Sequence, residues 1–440
     1  MTARADPRAL VRSRSYVGLL LVAALLGAPI SAAAYGFLAL VGYLQRELFV
    51  HLPAELGFAA APAWWPLPLL AVAGLLVAWV IRYLPGTGGH SPADGFKAGG
   101  TPAPIELPGV VAAALLTLCL GAVLGPEAPL IALGGGLAVL AGRLLRRDMP
   151  APAMAVVAAA GSFASVSTLL GSPILGAFLL MEASGLGGAM LSLTLLPGLL
   201  AAGIGALVFV GLNSWTGLGT FSLSIPNLPP YTHPSLAEFG WALAIGLAAA
   251  LVGTAVRRFA LLIRPHVEKR SFVLTPLLGI VIAGLAIGYA QTTGKSSSDV
   301  LFSGQTALGP LITNASGYSV GAIVLLLVCK GLAYSLSLSG FRGGPVFPSL
   351  FLGAAGGVAL SHLPGMSLVG GVAMGMGALC ASMLMLPLTS VMLATLLLLS
   401  DGAAVMPLVI VATVVAYVVT SRLTPRPAAT AGATQRDDEP

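Results

Sequence analysis

The chain has 440 residues, of which 57% are hydrophobic and only 8% charged, and its mean hydropathy is +0.97. That balance excludes a soluble globular protein and points to an all-α polytopic membrane protein, because apolar runs of this length cross lipid as helices. The net charge of +6 does not imply a nucleic-acid partner: the basic residues fall in short clusters between apolar runs and read as topology signals. Abundant Gly (56) and Pro (32) favour close-packed, interrupted helices. Cys119, Cys329 and Cys380 lie within apolar runs and read as buried free thiols. No metal-ligand spacing or cofactor motif accompanies them.

Arg4, Arg8, Arg12 and Arg14 precede the first apolar run, Tyr16 to Tyr43. Such a start imitates a secretory signal, but the many apolar spans that follow make it a first membrane helix with a cytoplasmic N-terminus. The stretch from Glu47 to Trp65 lacks Lys and Arg and ends in Trp64-Trp65, which fits an outer-face loop with an interfacial anchor. A second run, Pro66 to Ile81, returns to Arg82. Next comes a Gly-rich turn, Pro85 to Pro92, where glycines permit close backbone approach and Ser91 offers a hydroxyl. Taken alone it is an ordinary cytoplasmic loop, and His90 an incidental histidine.

The stretch from Leu107 to Gly142 carries a single charge in 36 residues, Glu127, within Gly125-Pro126-Glu127-Ala128-Pro129. One crossing takes about 20 residues, and Gly and Pro interrupt helices, so this is a broken segment with a lone acid at the break. Intramembrane charges cost about 2.5–3.5 kcal/mol on insertion scales, which favours a functional acid over an idle one at a wet helix end. Helix N-termini beyond such breaks offer free N–H groups to anions, and a tethered carboxylate would compete for them.

Arg143, Arg146 and Arg147 mark another cytoplasmic turn. Glu182, near the end of an apolar helix, is either a second ionisable relay or a helix-end residue reaching water. The stretch Asn213 to Pro234 reads as an outer-face linker, and Arg257, Arg258, Arg264, Lys269 and Arg270 as a cytoplasmic cluster. A long loop, Gln291 to Pro310, follows. Lys330, at the margin of an apolar run, is expected to snorkel. No charge occurs from Gly343 to Ser400, and Arg422 and Arg426 lead a cytoplasmic tail. The expected organisation is a segment 1–15, a membrane half 16–212, a linker 213–237, a second half 238–421 and a tail 422–440.

The two uncharged breaks match. Gly125 to Gly134 and Gly344 to Gly353 both read GPxxPxxxLG, displaced by 219 residues (344 − 125). Ser172-Pro173-Ile174 and Leu386-Pro387-Leu388 echo each other at 214 (387 − 173). Two echoes in one order, at nearly one displacement, indicate a duplicated unit. Interrupted segments at corresponding positions in two halves point to a transporter's binding site.

These residues resemble the CLC family of chloride channels and chloride/proton exchangers. Gly125 to Pro129 resembles its gating motif, which makes Glu127 the gate; Gly125, Pro126 and Ala128 flank the anion path. Gly344, Pro345, Val346 and Phe347 resemble the motif whose amides hold the central chloride, and Gly89, His90, Ser91 and Pro92 the motif whose serine contacts it. The resemblance implies a fold of two inverted repeats and a homodimer in the cell membrane with both termini cytoplasmic. Chloride, and possible proton counter-transport, would be its traffic, with no cofactor. The chain departs from the family at Val346, where a phenylalanine is usual, and at Pro345, which has no amide donor. Ala183 stands where a proton-carrying glutamate falls, with Glu182 beside it, and Pro425 near the inner tyrosine. The resemblance therefore leaves open an exchanger, an uncoupled anion channel and a fluoride carrier. An intramembrane hydrolase would need a Ser/His or Asp pair on facing apolar helices. His51, His90, His233, His266 and His362 lie instead at loops or span edges, and Asp401 ends a span. A passive scaffold would not need the charged break.

Overall fold

The computed structural model describes residues 11–96, 101–185, 188–216, 228–231, 233–398 and 401–424. Arg4, Arg8, part of the expected linker, Pro425 and Arg426 lie outside them. The described residues form helices α1 (Arg14–Arg46), α2 (Pro66–Tyr83), α3 (Leu107–Cys119), α4 (Glu127–Leu145), α5 (Ala151–Leu170), α6 (Pro173–Ser184), α7 (Gly188–Thr216), α8 (Leu236–Lys269), α9 (Ser271–Thr293), α10 (Gln305–Thr313), α11 (Val320–Gly340), α12 (Val346–Leu360), α13 (Leu368–Leu384), α14 (Pro387–Leu397) and α15 (Gly402–Leu423). Nine helical stretches among them are long and apolar enough to cross a membrane; α3, α6, α12, α13 and α14 are shorter apolar helices.

Local chemistry sets where these helices start. Proline opens α2, α6 and α14, where a missing N–H leaves no hydrogen bond unmade. Serine hydroxyls cap α6 as well and three others: Ser172 accepts from Leu175 N–H, Ser319 from Ala322 N–H and Ser367 from Gly370 N–H, while Ser235 and Glu238 cap α8 reciprocally.

Two inverted halves are built alike. α4 packs on α5 where Gly134 meets Gly161, and α12 packs on α13 where Gly353 meets Gly375. A Cβ on any of the four would stand 2.1–2.4 Å from a neighbouring atom. Small residues at helix crossings let backbones approach, which is how helices gain contact in lipid, where apolar burial alone drives little association. The two crossings repeat the displacements of the sequence motifs (353 − 134 and 375 − 161). α2 and α9 lock the halves together at Gly74 and Gly279 in the same manner.

The basic residues Arg258 and Arg264 lie at one end of the molecule. There Arg264 pairs with Asp94 and with Glu268, and Arg258 donates to the Leu423 carbonyl at 2.6 Å. At the other end Trp241 donates to the Pro364 carbonyl, and Ser367 and Tyr231 donate to Glu238. α4 therefore runs from mid-molecule towards the basic face, and α12 runs away from it.

Lys330 does not snorkel. It is fully buried, and its ammonium donates to the carbonyls of Asp299, Val300, Leu301 and Phe302 at 2.9, 3.1, 3.0 and 3.3 Å. It also stands 4.4 Å from the centre of the Phe351 ring. The expected long loop Gln291–Pro310 is partly interior and partly helical: Val300 and Leu301 are buried, Phe302 N–H bonds the Gly121 carbonyl, and α10 begins within it. An ammonium has three protons, and a cage of backbone oxygens satisfies them where water does not reach. Lys330→Met leaves those carbonyls without their donor and is expected to cost about 2–4 kcal/mol. A thermal unfolding midpoint in detergent equal to wild type would contradict this assignment.

Candidate functional site

The two breaks meet. Gly125 N–H donates to the Gly344 carbonyl at 2.7 Å and Gly344 N–H to the Gly125 carbonyl at 2.6 Å, an isolated antiparallel bridge between the halves. A second tie runs alongside it: Val123 N–H donates to Ser337 Oγ of α11 at 3.0 Å. Both prolines leave the backbone irregular, and the pairing supplies partners that helices would otherwise provide.

Glu127 lies on this bridge. It is the first residue of α4, is 0% exposed, and its Oε1 accepts the N–H of Phe347, the second residue of α12, at 2.8 Å. Its Oε2 is buried with no hydrogen-bond partner among the described residues. Gly344 is needed for this fit, since a Cβ there would stand 1.8 Å from Oε2. A carboxylate of the first half thus occupies the helix N-terminus of the second. Such an end favours negative charge, whether on a tethered carboxylate or on a small anion.

Pro345 gives α12 no amide but serves through its carbonyl. Tyr334 OH donates to that oxygen at 2.9 Å and Ser349 Oγ at 2.6 Å, which fixes the turn leading into α12. Val346 is fully buried, and its carbonyl faces the Cys380 thiol at 3.9 Å. Sequence reasoning did not single out Tyr334, Ser337 or Ser349.

A cavity of about 460 Å³ reaches this region from the basic face. Gly89, His90, Ser91 and Pro92 line it together with Ala128, Pro129, Gly343 and Pro345. The Gly-rich turn is thereby brought to the break. Ser91 Oγ is buried and has no hydrogen-bond partner among the described residues. Gly125, Pro126, Gly344, Val346 and Phe347 are buried beyond the cavity wall. Arg342 also lines the cavity, although the sequence reading passed over it.

Glu182 is engaged elsewhere. Its Oε1 accepts Leu388 N–H at 2.9 Å, and its Oε2 accepts the N–H and hydroxyl of Thr389 at 2.7 and 2.6 Å. A carboxylate of the first half again sits on a helix N-terminus of the second, here α14.

A family model described as "Voltage gated chloride channel" matches residues 69–421. The chain belongs to the voltage-gated chloride channel family. Its business is ion transport. YfeO of Escherichia coli (strain SMS-3-5 / SECEC), named provisionally as an ion-transport protein, is 30% identical over 359 residues, covering 80% of this chain and 81% of its own. YfeO of Shigella boydii serotype 4 has the same identity and coverage. Among solved structures, a slow cyanobacterial Cl-/H+ antiporter aligns with TM-score 0.73 and 18% identity over 93% of this chain and 95% of its own. A CLC-type fluoride/proton antiporter aligns with TM-score 0.68 and 22% identity over 92% and 96%. At these identities the likeness speaks for the fold, which is that of the CLC type.

Two expectations follow from the geometry. Gly344→Ala should expel the Glu127 carboxylate and flatten the pH dependence of ion flux. Gly356→Ala, where a Cβ meets nothing within 4 Å, should keep it; equal pH profiles for the two would break the assignment. Glu182→Ala uncaps α14 and should lower stability by about 1–2 kcal/mol, leaving the pH profile of flux in place. Loss of that profile would instead make Glu182 a proton carrier.

Proposed function

We propose that this chain carries small anions, chloride foremost, through a pathway running from the basic-face cavity past the N-terminus of α12, with Glu127 as its protonation-dependent gate. The observation behind this reading is the 2.8 Å hydrogen bond from Phe347 N–H to Glu127 Oε1 across the Gly125–Gly344 bridge. In that arrangement the carboxylate stands where a chloride would be held. Opening requires the acid to leave.

Protonation supplies the release. A charged acceptor roughly doubles the strength of such a hydrogen bond, so neutralising Glu127 weakens its hold on the amide and frees the donor for the anion. The sign follows: flux rises as pH falls. Each swing of a protonated acid also moves a proton, which makes chloride/proton exchange our reading of the transport mode. Uncoupled anion passage is the runner-up, favoured by one observation: Glu182 is tied to α14 and its neighbour is Ala183, so no acid of that pair faces the cavity. Both halves of the site come from a single chain, so each protomer of a homodimer would hold a complete pathway. The positive-inside rule puts the cavity mouth and both termini on the cytoplasmic side of the cell membrane.

Glu127→Gln keeps the shape of the protonated acid without its titration. In proteoliposomes its anion flux should be as high at about pH 7.5 as wild type is at about pH 4.5, with wild type slower at the higher pH by several-fold. A mutant that retained the wild-type pH profile would remove Glu127 from the gate. Proton uptake driven by a chloride gradient separates exchange from passive flow, and the same assay with fluoride fixes the preferred halide.

A further inference from the structure

We infer that Arg342 builds an anion-capture site in the basic-face cavity, one that loads a partly hydrated chloride before it reaches the α12 amides. This rests on the transport reading above. Arg342 sits two residues before Gly344 and lines the cavity that also holds Ser91 and Pro345. Its guanidinium is anchored at one edge: Nε donates to the Thr87 carbonyl at 3.3 Å and Nη1 to the Phe341 carbonyl at 3.2 Å. Its backbone N–H meets Thr117 Oγ1 at 3.3 Å. The stem lies along Gly88, where a Cβ would stand 3.4 Å from Arg342 Cγ.

No acid pairs with this arginine among the described residues, although acids are near. Asp94 and Glu268 are both taken by Arg264. Glu106 lines the same cavity but turns Oε2 onto Ala103 N–H at 2.8 Å. A guanidinium carries five N–H donors, and the two anchoring contacts leave others for the cavity. Ser91 lines the same space, and its Oγ is buried with no partner among the described residues. The cavity of about 460 Å³ has room for an ion with several waters. A fixed cation beside the positive end of α12, in walls of low dielectric, raises the local anion concentration at the cavity end of the path.

The test is the chloride dependence of flux or current with chloride varied on the basic face alone, in oriented or solid-supported membranes. For Arg342→Gln the half-saturating chloride should rise about tenfold, equivalent to about 1.4 kcal/mol. Arg342→Lys keeps the charge but loses the fork, and should shift by about threefold. Unchanged half-saturation in Arg342→Gln overturns the capture site, and so does a lower maximal rate at unchanged half-saturation, which would mark a structural arginine. Should Arg342→Gln not fold, Arg342→Lys decides in the same way: a shift supports the site and none overturns it. Absence of anion flux in the wild type would instead sink the transport reading, so the two failures are distinct.

Discussion

The mutual hydrogen bonds between Gly125 and Gly344 are the constraint on which the site depends. Each glycine ends a proline-interrupted turn whose backbone cannot be satisfied by its own helix. In a membrane, unpaired amides and carbonyls cost several kcal/mol each, so such a turn persists only where a partner is at hand. Here each break is the partner of the other. Pairing them also fixes α4 and α12 with their N-termini adjacent, and that adjacency lets Glu127 reach Phe347.

Holding this centre requires close helix packing around it. Gly134 against Gly161 and Gly353 against Gly375 bring the flanking helices within backbone contact, and larger residues at any of the four would wedge them apart. Lys330 serves the side away from the basic face differently. Its ammonium gathers four carbonyls of the 299–302 segment, and Phe302 then contacts Gly121, a few residues before the first break. Tyr334 and Ser349 clamp the turn at Pro345 from within the second half. The Gly125–Gly344 bridge is thus supported by side chains that do not touch the Glu127 carboxylate.

Much of this was legible in the amino-acid order. Gly and Pro within apolar runs announce broken helices, a lone acid at a break announces a site, and the echo at 219 residues announces the second break. What the sequence withheld was the partner of each polar group. Lys330 reads as a snorkelling residue because hydropathy cannot show a distant segment folding inwards to offer its carbonyls. The partners of Glu182, Leu388 and Thr389, lie more than 200 residues away in the chain. Tyr334 and Ser349 look like ordinary members of apolar helices. Arg342 did carry a signal: it is a lone charge at the lip of the second break, directly before a long uncharged stretch, and the uncharged stretch drew the eye past it.

The duplication is symmetric in backbone and asymmetric in charge, and the asymmetry has a physical reason. Two helix N-termini meet at the bridge, yet only α4 begins with an acid; the matching position of α12 is Val346. A second carboxylate there would face the first across a few ångströms of low-dielectric interior, and like charges so placed cannot both ionise. One acid per pair leaves one helix end which, in the proposed transport, a tethered carboxylate and a free anion claim alternately. The same economy recurs at Glu182, which serves the α14 N-terminus, whereas the second half carries Val346 and Leu396 at the places displaced by 219 residues from Glu127 and by 214 from Glu182. The first half supplies the negative charges and the second supplies the donors that receive them. This division makes a duplicated scaffold asymmetric at its centre, as a pathway with one seat and one movable acid requires.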